Sequence, residues 1–166
     1  MEQDERYMKD AMREAQMAGS EDEVPIGAVV VCRGRIIGKG HNMTERLNDP
    51  TAHAEMIAIT AATEAMGGKY LNDCTIYVTV EPCPMCTGAV INSRIRNLYF
   101  GTKNPKAGAC GSVINLFDYP FNHKPNITSG ILEEACSRIM SEFFLKVREK
   151  RKTEKAIKKF DTNNEN

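Results

Sequence analysis

Apolar residues at Tyr7, Met8, Ala11, Met12 and Ala15 recur at helical spacing and predict an amphipathic helix from Asp4 to Ala18, ended by Gly19 and Ser20. Ile26–Val31 is a short β-branched run, Arg33-Gly34 forms a turn, and Arg35–His41 returns as the second strand of a hairpin. Asp49-Pro50-Thr51 marks a stop and a new helix start. Thr51 is the expected N-cap, His53 falls in the first turn, and the helix runs to about Met66 before Gly67-Gly68 breaks it. Thr75–Val80 (TIYVTV) is strongly strand-like. Pro82 or Pro84 opens a further helix reaching about Asn92, since proline suits a first helical turn. Asn97–Gly101 reads as a strand and Asn104–Gly111 as a Gly-containing loop. Ile131–Lys159 is mostly one long helical pattern, left open to a break. The order α-β-β-α-β-α-β-(β)-α implies an α/β fold, a mixed sheet with helices on both faces.

Composition narrows this little. The 166 residues, 42% apolar and 27% charged, suit one globular domain, placed at residues 1–160 with a disordered tail over 161–166. No apolar run approaches the length of a membrane span, and the acidic start MEQDERYMKD is unlike a signal peptide, so the expected location is cytoplasmic. Six cysteines are too sparse for a disulfide scaffold and point instead to metal or catalysis.

Charge changes the picture more. Lys+Arg and Asp+Glu balance at 22 each, which excludes a protein that holds nucleic acid by bulk charge. The balance is uneven along the chain: Met1–Pro25 carries eight acidic and three basic residues, Lys146–Phe160 eight basic and two acidic. The basic segment is either a solvated helix face or a phosphate-contacting patch, and Phe143 and Phe144 immediately before it favour the latter.

The chemistry concentrates in His53-Ala54-Glu55 and Pro82-Cys83-Pro84-Met85-Cys86, each at an expected helix start. One imidazole and two thiolates are good zinc ligands, and three protein ligands leave a fourth position for water. Helix N-termini favour the thiolate form. Glu55, leaning toward that water, could take its proton and pass it to a leaving nitrogen; a capping carboxylate is the plainer alternative. A closed structural site would need a fourth ligand from Cys32, Cys74, Cys110, Cys136, His41 or His123, none of which is paired with another at ligand spacing.

H-A-E followed by P-C-x-x-C is the signature of zinc nucleobase deaminases. Beyond it, EVPIGAVVV, GHNMTERLNDPTAHAEMIAI, TIYVTVEPCPMC, GAVINSRIRNLYFG, NPKAGACGS, FNHKPNITSGILEEAC and SEFFLKVREKRK, in that order over about residues 5–152, resemble the bacterial tRNA-specific adenosine deaminases. The resemblance implies a three-layer α/β/α cytidine-deaminase-like fold with a mixed five-stranded sheet, a homodimer, and one Zn²⁺ per subunit. It implies hydrolytic conversion of adenosine to inosine at the wobble position of an anticodon, that of an arginine tRNA, with release of ammonia. By position it assigns His53, Cys83 and Cys86 as zinc ligands and Glu55 as proton shuttle. Asn42 would hydrogen-bond the extruded base, which Ile26 and Val29 would wall. Asn104, Lys106 and Ser112 would contact the anticodon backbone, and Phe143, Phe144 and Arg148 the neighbouring nucleotides. Asn104 departs from the Asp often found there. Two other functions fit parts of the pattern: deamination of a free base or nucleotide of the guanine or cytosine type, and a zinc-stabilised RNA-binding protein without catalysis.

Overall fold

In the computed structural model, which describes residues 1–164, β1 (Gly27–Cys32) is buried along its whole length. A strand buried on both faces reads as a continuous apolar run, as GAVVVC does. β1 pairs antiparallel with β2 (Arg35–His41) on one side and with β3 (Cys74–Val80) on the other. β4 (Asn97–Thr102) and β5 (Asn126–Ser129) then add in parallel, giving a five-stranded mixed sheet ordered β2-β1-β3-β4-β5.

The alternation of strand side chains splits the core in two. Ala28, Val30 and Cys32 face one layer with Ala54, Ala58 and Ala62 of α3 (Ala54–Met66) and Val90 and Ile91 of α4 (Pro84–Asn92). Val29 and Val31 face the other, with Tyr7, Met8 and Ala11 of α1 (Glu2–Ser20) and Cys136 of α5 (Glu133–Asn164). The three-layer α/β/α arrangement is as expected, and no described helix is long and apolar enough to cross a membrane.

Local chemistry moves several boundaries. A short helix, α2 (Thr44–Leu47), stands between β2 and α3. The N-cap of α3 is His53, not Thr51. Thr51 instead gives both its backbone N–H and its hydroxyl to Asp49 (2.8 and 2.7 Å), a local turn that competes with capping. α5 runs unbroken to Asn164, because no glycine or proline interrupts it, so residues 161–164 are helical rather than a disordered tail. Glu165 and Asn166 lie outside the described residues.

Gly40 on β2 lets α3 approach: a Cβ there would sit 2.3 Å from the Ala54 carbonyl oxygen. The start of α3 is thereby pressed onto β2.

Candidate metal centre and active site

His53 and Cys83 stand at equivalent places, each immediately before its helix in extended backbone (φ −78°, ψ 153° and φ −72°, ψ 173°). Their carbonyls accept the first helical bonds, from Ile57 N (3.1 Å) and Thr87 N (2.9 Å). An N-cap side chain ordinarily caps its own helix. Neither does so here, and both turn toward each other instead. His53 Nδ1 lies 3.6 Å from Cys83 Sγ and 3.6 Å from Cys86 Sγ. Bond lengths of about 2.0 Å to nitrogen and 2.3 Å to sulfur in tetrahedral geometry call for an N···S separation of about 3.5 Å, so the donor set fits a zinc-sized ion.

Among the described residues the group has three members. The conceivable fourth ligands are committed elsewhere. His41 Nδ1 is 3.0 Å from Glu14, His123 Nε2 is 2.7 Å from the Ile95 carbonyl, and Cys110 lies 3.5 Å from the Thr87 hydroxyl. Cys32, Cys74 and Cys136 are buried in the core.

The electrostatics suit metal ligation. The Cys86 thiol donating to Cys83, with His53 beside it, holds the Cys83 thiol down at about 4, while Cys86 as donor is pushed far up. The hydrogen bond to Cys83 raises the His53 imidazole. Glu55, in the first turn of α3, is 4% exposed, and burial pushes its carboxyl up to about 7. A carboxyl near neutrality both accepts and returns a proton readily.

The remaining expected residues divide. Asn42 is buried at the end of β2, and its Oδ1 accepts from Ala54 N (2.9 Å), which ties the hairpin to the start of α3 and leaves the amide NH₂ as the group with no partner among the described residues. Ile26 precedes β1, half-buried, and its carbonyl accepts from Asn42 N (3.2 Å). Val29 does not join them. Alternation sends it through the sheet to the α1/α5 layer, so a core role replaces the expected base wall. Asn104 Oδ1 accepts from Lys106 N (3.3 Å) and Ala107 N (3.1 Å), a turn that an aspartate would form as well. Lys106 is exposed. The Ser112 hydroxyl donates inward to Glu81 rather than outward. Phe143 and Phe144 meet edge to face on α5, with Phe144 and Arg148 exposed.

Two carboxylates were missed. Glu81, 2% exposed at the end of β3, accepts from Asn104 N, Cys110 N and Ser112 N (3.0 Å each) and from Ser112 Oγ. Burial pushes its carboxyl up, but the backbone N–H of Asn104, with Ser112 and Cys110, outweighs that and leaves it below the ordinary value. Glu23, fully buried, accepts from Thr44 Oγ1 (3.3 Å), Glu45 N (3.1 Å) and Arg46 N (2.7 Å), so it caps α2. The available signal was a lone acid at the join between an apolar strand and a proline, as in VTVEP.

Comparison with known proteins agrees with this arrangement. The model of the MafB19-like deaminases matches residues 2–148. The tRNA-specific adenosine deaminase of Bacillus subtilis is 48% identical over 92% of this chain and 95% of its own, and that of Haemophilus influenzae 46% over 94% and 91%. A solved structure from work on A-to-I editing by tRNA:A34 deaminases superposes with a TM-score of 0.79 at 46% identity, covering 81% of this chain and 98% of the other. The guanine deaminase of Bacillus subtilis superposes at 0.59 with 36% identity over 73% and 77%. A centre of this donor set, on this fold, in a chain matched nearly end to end, places the protein in the family of tRNA-specific adenosine deaminases.

Proposed function

We propose that this enzyme deaminates adenosine to inosine at the wobble position of a tRNA anticodon, that of an arginine tRNA, using one Zn²⁺ per subunit. The observation that carries the reading is the pair of 3.6 Å separations from His53 Nδ1 to the two sulfurs, with a buried Glu55 two residues away. His53, Cys83 and Cys86 would hold the ion, which would supply Lewis acidity that brings the attacking water toward neutrality. Glu55 takes one proton of the attacking water on its carboxylate and passes it to ring N1 as oxygen adds at C6. It then takes the second proton from the C6 hydroxyl and passes it to the exocyclic nitrogen, so that C6=O forms, the C6–N6 bond breaks and ammonia leaves. Such a shuttle contributes roughly 10²–10⁴-fold.

The free NH₂ of Asn42 donates to an acceptor on the extruded base, against the apolar side chain of Ile26. Asn104 and Lys106 meet the anticodon backbone from their loop, Ser112 acting through Glu81, and Phe144 and Arg148 meet neighbouring nucleotides. Extruding a base is cheap in a single-stranded loop. We take the active form as a cytoplasmic homodimer of one-domain chains, in keeping with exposed Leu47, Val113, Ile114 and Phe121.

The likeness to a guanine deaminase favours a second reading, turnover of a free base. That reaction has no use for an exposed basic helix. Incubation with total tRNA followed by nucleoside analysis tests the first reading through the appearance of inosine. Truncation after Lys146 separates the two: loss of tRNA turnover supports the proposal, and intact turnover of a free purine with none on tRNA supports the alternative.

A further inference from the structure

The cations of distal α5 fall on one face. At about 100° per residue, Arg148, Arg151, Lys152, Lys155, Lys158 and Lys159 lie within an arc of about 120°. Glu149, Glu154 and Asp161 lie outside it. Every residue from Arg148 to Asn163 is exposed, and among the described residues none of the six cations enters an ion pair. Glu154 and Lys158 stand at i,i+4, where opposite charges can pair, yet among the described residues no ion pair joins them, and no acid shares the arc of the six cations. Phe144, 43% exposed, stands one turn before Arg148 in the same row. The match to the family model ends at residue 148, so five of the six cations lie beyond it.

We infer that this face of α5 lies along one strand of the paired stem adjoining the anticodon loop and contacts its successive phosphates. The inference rests on the tRNA reading above and adds a second, paired segment to the substrate. From Arg148 to Lys159 the row is about 16 Å long and repeats about every 5.4 Å, a spacing near that of phosphates along a strand. A straight row of exposed cations matches the regular backbone of a duplex and not the folded path of a short loop. Double-stranded RNA is itself held mostly through shape, phosphates and 2′-hydroxyls. Phe144 and Arg148 thus mark the handover from loop to stem.

The test uses the full-length protein with two ligands, the anticodon stem-loop and the same loop nucleotides as an unpaired oligonucleotide. Affinities are measured over a KCl series. Replacing Arg151, Lys152, Lys155, Lys158 and Lys159 together by Gln should weaken stem-loop binding by about tenfold or more at low salt and reduce the salt slope by about 3–4, while affinity for the unpaired oligonucleotide is unchanged. A charge-matched pair fixes the face: K155Q/K159Q should lower the slope by about 1.5, and K146Q/K150Q should leave it alone. Glutamine keeps helix propensity, and the helical signal in circular dichroism confirms the fold.

Equal slopes for the two pairs would overturn the inference, since only net charge would then matter. So would an equal loss on the unpaired oligonucleotide, which would place the row on the loop. Loss of sedimentation with phosphatidylserine vesicles, with stem-loop binding intact, would reassign the face to a lipid surface. Absence of inosine with the wild-type protein would refute the tRNA reading itself; inosine formation with an unaffected five-fold variant would refute only the stem contact.

Discussion

The paired starts of α3 and α4 and the free half of α5 are both helix features, yet they acquire chemistry in opposite ways. At the first, His53 and Cys83 are fixed by backbone geometry at two N-caps, with Glu55 and Cys86 buried behind them. At the second, every side chain from Arg148 to Asn163 is exposed, and the order lies only in the period of the charges. Burial makes the first region intolerant, because each group removed leaves others unsatisfied. Exposure makes the second graded, because each cation acts nearly alone. The contrast predicts large, all-or-none effects at the centre and small, additive ones along the arm.

The largest effect belongs to Glu55. Glu55→Gln keeps shape and ligands, so metal content by native mass spectrometry should remain at one ion per chain while kcat falls about 10²–10⁴-fold. Cys86→Ala should instead lose the ion, and a chelator should do the same to the wild type, with activity restored by zinc. Wild-type turnover in Glu55→Gln would mean a binding protein or a different shuttle, and would erase the distinction between the two regions.

Glu81 comes next, since it joins the rigid centre to the loop carrying Asn104 and Lys106. Glu81→Gln replaces one acceptor oxygen by an NH₂ among donors. It should cost about 2–3 kcal/mol in urea unfolding and raise KM for tRNA more than it lowers kcat. A fall confined to kcat would show that the loop does not hold substrate. Gly108, whose Cβ would lie 2.5 Å from Glu81 Cδ, leaves no room for rearrangement there.

Much of this was legible in the sequence, and what was hidden has physical reasons. The strands were visible where β-branched residues run together, as in TIYVTV. β5 (NITS) was only bracketed, because an exposed edge strand has no apolar alternation to display. The ligand set was visible because spacing in sequence became spacing across two helix starts. Glu23 and Glu81 were not, because burial of a carboxylate is decided by distant N–H groups and leaves locally no more than an acid beside an apolar run and a proline. Val29 illustrates the same limit. A strand buried on both faces gives no phase, so GAVVVC did not say which valines face the metal side.

Gly40→Ala sharpens the comparison from the scaffold side. The added methyl would meet the Ala54 carbonyl at 2.3 Å and the Ala58 nitrogen at 2.7 Å, both backbone atoms that yield only if α3 moves. A shift there displaces His53 relative to Cys83 while leaving every ligand in place. We expect a loss of about 1–3 kcal/mol in stability, with zinc affinity weakened alongside. Unchanged affinity would show that the 3.6 Å separations survive without the close approach of β2.

The smallest effect expected is on the stability of a chain cut after Arg148. Core contacts of α5 lie in its first half, at residues such as Cys136, and every residue from Arg148 to Asn163 is exposed. The excised turns carry only their own helical bonds, which form and break locally and lend nothing to the sheet. Surface changes of this kind stay within about 0.5 kcal/mol, so the melting temperature should move by no more than about 1–2 °C. A larger drop would mean that the arm folds back on the body or onto a second chain, and the independence of the two regions would fail. A small drop accompanied by a shallower salt dependence of tRNA binding is the outcome that keeps stability in the core and assigns RNA affinity to the arm.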